Sequence, residues 1–229
     1  MSGQRVLIID GDDTLWENNV YFEQSIEDFI DFLGHSALSR EQVRARLDEI
    51  ERLNSRVHGY GSAAFARNLR ETYERLAERD LHPDDLDHVI RLGRRILDVE
   101  LELLPGVAET LAYLKPRHRL LLFTKGELEE QQLKVRRSGL EDHFERVVVT
   151  NEKDVAGYRD LIRAHDVDAR QAWMVGNSPR SDINPALEAG LHAVYIPHAH
   201  TWRLEEADVP VHDGRLLVLQ SFRQLKDHF

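Results

Sequence analysis

The stretch VLIIDGDDTL, residues 6–15, decides the fold of this chain. Its first four residues are apolar and largely β-branched, which predicts a short strand. Residues 10–13, Asp-Gly-Asp-Asp, are of the types that favour turns, so the strand is expected to end at Ile9. Carboxylates therefore stand directly at the end of a buried strand, which is where open α/β sheets bind their ligands.

Four more apolar runs follow in the second half of the chain, at residues 120–123, 147–149, 172–175 and 193–196. Short, near-continuous apolar runs are typical of strands that are buried on both faces of a parallel sheet. Stretches of helical character separate them, at about residues 107–114, 127–138, 153–165 and 182–189. The alternation predicts an α/β fold with a doubly wound, parallel-sheet (Rossmann-like) core.

Residues 20–104 have a helical periodicity and offer no strand candidate. Apolar side chains recur three and four positions apart in two stretches, at Val43, Leu47, Ile50, Leu53 and Val57 and again at Phe65, Leu69, Tyr73 and Leu76. A third helix is expected from about residue 84 to residue 103. We therefore predict a core of residues 1–16 and 105–229, with an all-helical domain, residues 17–104, inserted after the first strand.

Polar side chains follow four of the predicted strands. The carboxyl ends of parallel strands meet at one edge of the sheet, so we expect these side chains to lie together. Carboxylates, a hydroxyl and an ammonium suit a divalent cation and a phosphate. In chain order they are Asp10, Asp12 and Thr14, then Thr124 and Lys125, then Lys153, and finally Asp182 within the loop of residues 176–182.

Each of these residues has a plainer interpretation when it is taken alone. Asp10 and Asp12 could belong to an ordinary turn, and Thr124 could cap the helix that follows it. Lys153 could be one more surface lysine, and Asp182 could cap the last predicted helix. The functional interpretation is favoured because all of them occur, in order, at the ends of successive predicted strands.

In this combination the chain resembles the haloacid dehalogenase-like superfamily of hydrolases. Residues 10–15 match its first motif, Asp-x-Asp-x-Thr, and Thr124 and Lys153 match the second and third motifs. Residues 176–182 match the acidic fourth motif, except that Asn177 stands at its first acidic position. The resemblance covers essentially the whole chain, and it implies the phosphatase type with a helical cap domain after the first motif.

The resemblance also implies a role for each site residue. Asp10 would be the nucleophile that forms an aspartyl phosphate, and Asp12 the general acid and base. The implied cofactor is Mg²⁺, held by Asp10, by the main-chain carbonyl of Asp12 and by Asp182, with Asn177 as a neutral or water-mediated contact. The catalytic side chains would be Asp10, Asp12, Thr124 and Lys153, and the phosphate-binding ones Asp10, Thr124, Lys125 and Lys153. For Lys125 a surface role is the alternative.

The composition narrows the class of partner. Among 229 residues, 41 are acidic and 30 are basic, which gives a net charge of −11 and argues against binding to nucleic acid or anionic membranes. The absence of cysteine excludes a disulfide scaffold, a thiolate metal site and a cysteine nucleophile. The first residues show no secretory signal, and no apolar run reaches the roughly 20 residues of a membrane helix. We expect a cytoplasmic protein, either monomeric or homodimeric.

The expected function is that of a magnesium-dependent phosphatase that hydrolyses a small phosphomonoester through an aspartyl phosphate. Three alternatives stay open: a 2-haloacid dehalogenase, a phosphomutase of the same superfamily, and a binding or regulatory protein on an idle scaffold. The pair His198 and His200 resembles half of a metal site, but the sequence shows no third ligand, so a structural role is expected for it.

Overall fold

The centre of the molecule is a parallel sheet. The structure, a computed structural model, describes residues 4–209 and 214–229. The six strands that it describes are β1 (Val6–Ile9), β2 (Arg119–Lys125), β3 (Arg146–Thr150), β4 (Ala172–Gly176), β5 (His192–Tyr195) and β6 (Leu216–Val218). Their order in the sheet is β3-β2-β1-β4-β5-β6, with every pairing parallel. The predicted doubly wound α/β fold is confirmed.

Helices cover both faces of this sheet. They are α5 (Val107–Leu114), α6 (Leu128–Ser138), α7 (Val155–Ala164) and the short α8 (Asn184–Glu188). On one face, Leu7 and Ile9 of β1 pack in a cluster with Leu111 of α5. On the other face, Ile8 packs in a cluster with Tyr158 of α7. Successive side chains of β1 point to opposite faces of the sheet. Because helices cover both faces, all four side chains are buried and apolar.

The chain divides into two compact units, Met1–Asn19 with Leu101–Phe229, and Val20–Glu100. The second unit is built on four helices, α1 (Asn19–Leu33), α2 (Arg40–His58), α3 (Ser62–Leu76) and α4 (Pro83–Arg94). Its core includes Phe29, Leu47, Leu69 and Val89, one from each helix. A capping box between Ser39 and Gln42 begins α2. In the described parts of the chain, no helix is long and apolar enough to cross a membrane.

Three local features differ from the expectation. The helix expected at residues 84–103 ends at Arg94 and continues as a tighter 3₁₀ turn, Arg95–Asp98, which buries Ile96. The helix expected at residues 182–189 begins with a π-helical turn, Pro179–Ile183. The strand β6 was not predicted, because it has three residues and only its pairing with β5 identifies it.

The contact between α3 and α4 depends on the absence of a side chain at Gly93. A Cβ atom added there would lie 2.5 Å from Cα and 2.7 Å from Cβ of Ala66. Gly→Ala inside a helix ordinarily stabilises by up to about 1 kcal/mol. We expect Gly93→Ala to lower the free energy of unfolding by about 1–3 kcal/mol instead, because the two helices must separate. Urea denaturation measures it, with the exposed Arg91→Ala as the control; a stabilised Gly93→Ala would contradict the packing.

His118 is neutral, and it joins the start of β2 to the start of β1 through a hydrogen bond. Its Nδ1 accepts the backbone N–H of Arg5 at 3.2 Å, so this nitrogen carries no proton. Burial lowers the pKa of His118, and the charges of Arg5 and Arg117 lower it further. The unfolded chain, in which a histidine titrates near about 6.5, therefore takes up this proton first as the pH falls.

This proton uptake predicts a pH-dependent stability. Below about pH 6.5 the unfolded state binds more protons than the folded state, so the stability falls with the pH, by at most about 1.4 kcal/mol per pH unit from this one group. We expect His118→Asn, which keeps an acceptor, to show a smaller loss of stability between pH 7.5 and pH 5.5. Urea denaturation at several pH values tests this, and parallel curves for the two proteins would contradict it.

Candidate active site

The sheet order brings the predicted site residues to one edge. Asp10 follows β1, and its backbone N–H bonds the carbonyl of Val175 in β4 at 2.9 Å. Thr124 and Lys125 are the last residues of β2, Lys153 follows β3, and Asp182 follows β4. Because the chain passes from one side of β1 to the other, this edge is a topological switch point, the usual ligand site of such sheets.

At its centre, one ammonium lies between two carboxylates. Lys153 Nζ contacts the carboxylate of Asp10 and lies 2.8 Å from Oδ1 of Asp182. The three residues are 3%, 7% and 1% exposed, so little solvent screens their charges. When both carboxyl groups are ionised, two carboxylates and one ammonium leave this buried cluster one negative charge in excess.

The excess negative charge affects how Asp10 and Lys153 titrate. Burial raises the pKa of Asp10 to about 7, and the charge of Asp182 adds to the effect, while Lys153 opposes it. Burial alone would lower the pKa of Lys153, but the two carboxylates outweigh it and hold this pKa above its usual value. Lys153 therefore stays charged, and Asp10 ionises more readily when a further cation is near.

A hydroxyl and an amide extend the cluster. Thr14 Oγ1 lies 3.0 Å from Oδ2 of Asp10 and 3.2 Å from Oδ1 of Asn177. Both of these oxygens are acceptors, and the hydroxyl has one proton to give. Asp182 is positioned by the backbone N–H of Ser178, which donates to its Oδ2 at 3.0 Å. The region around Thr14 thus holds more oxygen acceptors than there are hydrogen-bonding protons to satisfy them.

These residues fit a divalent cation of the magnesium type. The side chains are hard oxygen donors, the cluster carries a net negative charge, and the acceptors at Thr14 outnumber the protons. The residues that would hold the ion are Asp10, Asp182 and the main-chain carbonyl of Asp12.

Asp12 lies in a different environment from Asp10. Lys134 Nζ is 3.0 Å from both of its oxygens, Gln131 Nε2 donates to Oδ2 at 2.9 Å, and Trp16 Nε1 donates to Oδ1 at 2.7 Å. Burial opposes the charged form, but Lys134 and the hydrogen bonds outweigh it and hold the pKa of Asp12 below its usual range. Asp12 is therefore ionised in the state that the structure describes.

Thr124 belongs to the same network. Its hydroxyl donates to Oε1 of Gln131 at 3.0 Å, and the other end of that amide donates to Asp12. The helix α6 is capped by the side chain of Glu127, not by Thr124. Likewise, Ile183 and not Asp182 is the N-cap of α8. The capping alternatives for these two residues do not describe the structure.

Lys125 contacts two residues on the side of the loop after β4. Its ammonium forms an ion pair with Glu205 and lies 3.1 Å from Oγ of Ser181. Glu205 also accepts a hydrogen bond from the hydroxyl of Ser178. Through Ser181 and Glu205, Lys125 links the loop after β4 to the 3₁₀ turn Arg203–Glu205.

His198 lies near two carboxylates that are far from it in the sequence, so the sequence did not predict their contact. Its Nδ1 is 3.7 Å from Asp13 and its Nε2 is 3.3 Å from Glu17. One ligand atom from each of the three residues lies within 4.8 Å of the others, a spacing open to a metal ion. Asp13 also accepts the backbone N–H groups of Asn18 and Asn19, so the group closes the loop that precedes α1.

Sequence reasoning missed Gln131 and Lys134 as partners of Asp12. They stand three positions apart on α6 and therefore share one face of that helix. A pair of polar side chains with this spacing, on the helix that follows Thr124, was the available signal. Thr14 was visible as part of the first motif, but its contact with Asn177 depends on two strands that are adjacent only in the folded chain.

The chain has relatives among known hydrolases. A sequence profile described as haloacid dehalogenase-like hydrolase matches residues 4–190. A solved haloacid dehalogenase-like family hydrolase from Xanthomonas campestris is 30% identical, with a TM-score of 0.86, and the match covers 99% of this chain and 90% of that one.

Two curated proteins have sequences that are similar to part of this chain. Pyrimidine 5'-nucleotidase YjjG of Escherichia coli is 29% identical over 103 residues, 42% of this chain and 46% of that protein. Phosphoserine phosphatase of Thermus thermophilus is 29% identical over 175 residues, 72% of this chain and 65% of that protein. The chain thus matches less than two thirds of the length of each.

Haloacid dehalogenases are also similar to this chain in structure. Their identities are 23% for that of Pseudomonas syringae and 15% for that of Xanthobacter autotrophicus, with TM-scores of 0.64 and 0.62. The matches cover 98% of this chain in both cases and 97% of each dehalogenase. At these identities the likeness shows a common fold alone.

The buried charge cluster predicts opposite effects for two substitutions in buffer without divalent cations. Asp10→Asn leaves one carboxylate for one ammonium, so we expect it to raise the free energy of unfolding by about 1–3 kcal/mol at pH 8. Lys153→Met leaves two buried carboxylates without an ammonium, and we expect it to lower that free energy by about 3–5 kcal/mol. Chemical denaturation measures both; a destabilised Asp10→Asn would contradict the charge excess.

Proposed function

We propose, because the chain belongs to the haloacid dehalogenase-like hydrolase family, that it is a magnesium-dependent phosphatase of small phosphomonoesters. One observation carries the proposal within the family. At the end of β1, the carboxylate of Asp10 contacts Lys153, an ammonium that Asp182 shares, and Asp12 stands two residues further on, so the groups for nucleophilic attack, proton transfer and charge balance would meet at one edge of the sheet.

The first half-reaction would use both carboxylates. An oxygen of Asp10 attacks phosphorus, the bond from phosphorus to the ester oxygen breaks, and Asp12 gives a proton to the departing alcohol. The product is an aspartyl phosphate on Asp10. Lys153 would balance negative charge on the transferred group, and the hydroxyl of Thr124 would turn its proton from Gln131 to a phosphate oxygen.

The second half-reaction would reverse the role of Asp12. A water molecule attacks the phosphorus of the aspartyl phosphate while Asp12 takes one of its protons, and the bond from phosphorus to Asp10 breaks. Inorganic phosphate leaves and the carboxylate of Asp10 is restored. When bound by Asp10, Asp182 and the carbonyl of Asp12, Mg²⁺ would supply the positive charge that lets an anionic phosphate approach an anionic nucleophile.

Asp12 has to gain a proton before it can act as an acid. In the structure Lys134 favours its ionised form. A phosphate bound nearby brings negative charge, which raises the pKa of a neighbouring carboxyl group. The proposal therefore includes uptake of a proton by Asp12 together with the substrate.

The substrate class follows from the relatives and remains part of the proposal. The names of two of them, a pyrimidine 5'-nucleotidase and a phosphoserine phosphatase, describe small phosphorylated molecules. We further propose that residues 17–104 form the cap domain that selects among such molecules, and that the protein acts in the cytoplasm.

The phosphatase activity can be tested with an aryl phosphate. We expect release of phosphate with Mg²⁺ and its loss in EDTA, and we expect Asp10→Asn to reduce the rate by at least about a thousandfold because the nucleophile is removed. The exposed Asp160→Asn is the matched control and should keep the full rate. A panel of nucleotides, sugar phosphates and phosphoserine then identifies the substrate.

Two results would contradict the proposal. Full activity in EDTA or in Asp10→Asn would exclude this mechanism. Release of chloride from a 2-haloacid, without release of phosphate from any ester, would identify the chain as a dehalogenase instead.

A further inference from the structure

The segment of residues 198–201 lies beyond residues 4–190, the part that the family profile matches. It follows β5 and contacts the segment between β1 and α1, since His198 Nδ1 lies 3.7 Å from Asp13 and Nδ2 of Asn19, the first residue of α1, donates to the carbonyl of His200 at 2.7 Å. It is also tied to the loop after β4, since Asn177 Nδ2 lies 3.1 Å from Oγ1 of Thr201. One short segment thus contacts two of the loops that bear site residues.

The hydroxyl of Thr201 has a defined direction. Its proton goes to the main-chain carbonyl of His198 at 3.1 Å, and a carbonyl can only accept. The backbone N–H of Thr201 donates to the same carbonyl at 3.2 Å, which holds the turn in place. Toward Asn177 the hydroxyl oxygen therefore offers a lone pair and no proton.

This direction decides which end of the Asn177 amide faces the site. Only the NH₂ group can donate to the lone pair of Thr201, so the carbonyl oxygen must point the other way. That oxygen lies 3.2 Å from Oγ1 of Thr14, which in turn lies 3.0 Å from Oδ2 of Asp10. With the amide reversed, an NH₂ group would stand in this place and repel a cation.

We propose that Thr201 is a positioning residue for the divalent cation. It acts through Asn177, whose amide it holds with the carbonyl oxygen toward Thr14, the residue whose hydroxyl also contacts the carboxylate of Asp10. The proposal rests on the proposed function for the presence of the cation, but its prediction concerns binding of the ion and not turnover. Groups that orient the atoms near a metal commonly change its affinity by about 10- to 100-fold.

The test measures binding of Mn²⁺ directly, by the electron paramagnetic resonance signal of the free ion, without substrate. Thr201→Val keeps the shape of the side chain and removes the lone pair, so we expect Mn²⁺ to bind roughly 10-fold more weakly or worse. Thr201→Ser keeps the hydroxyl and should bind within about threefold of the unchanged protein. In turnover, the apparent constant for Mg²⁺ should rise for Thr201→Val, while kcat at saturating Mg²⁺ stays within about threefold.

Two controls separate this role from a general loss of structure. Thr110→Val removes a buried hydroxyl that has no hydrogen-bond partner among the described residues, so it should leave Mn²⁺ binding unchanged. In an Asn177→Ala background, Thr201→Val should have no further effect, because the residue through which it acts is absent.

Each outcome distinguishes the inference from the proposed function. Unchanged Mn²⁺ affinity in Thr201→Val, or an equal loss in the Asn177→Ala background, overturns the inference and leaves the phosphatase proposal standing. A Thr201 effect on Mn²⁺ in a protein that hydrolyses no phosphate ester supports the inference and overturns the phosphatase. A protein that binds no Mn²⁺ and releases phosphate in EDTA overturns both the inference and the magnesium dependence.

Discussion

The buried contact of Lys153 with Asp10 and Asp182 is the interaction on which the rest of the site depends. It joins residues that follow three different strands, β3, β1 and β4, and it forms only because the sheet places these strands side by side. An unpaired charge in this setting would cost several kcal/mol, so the three loops constrain one another. Gly176 is part of the same constraint, since a Cβ atom there would lie 2.2 Å from Oδ2 of Asp182.

Two carboxylates only two residues apart therefore acquire different chemistry. Burial and the charge of Asp182, which shares the ammonium of Lys153 with Asp10, raise the pKa of Asp10, whereas the ammonium of Lys134 and two N–H donors hold the pKa of Asp12 low. The difference comes from their neighbours, because burial acts on both in the same direction. In particular, Lys134 Nζ contacts Asp12 and also donates to Oδ1 of Asn18 at 2.7 Å, so the charge of Asp12 is linked to the loop that leads into α1.

The sequence predicted the parallel sheet and the strand ends well, because a buried strand such as Val6–Ile9 and the polar residues after it are local patterns. The partners of Asp12 were not predicted, since they depend on which face α6 turns to the sheet. Thr201 was beyond prediction for a similar reason: its role rests on the direction of one hydroxyl proton. The early end of α4, where the chain continues as the 3₁₀ turn that buries Ile96, is not visible in the apolar periodicity.

The position of β1 also has a consequence for how the chain folds. This strand is central, but its neighbour β2 arrives only after the four helices have been made, and 113 residues separate Arg5 from its partner His118. Closing so long a loop costs conformational entropy before the contacts between β1 and β2 can form and offset that cost. Helices α1 to α4 pack into a core of their own, so they can become compact before β1 and β2 pair. The inserted helices would thereby shorten the search by which the edge that bears Asp10 and Lys153 assembles.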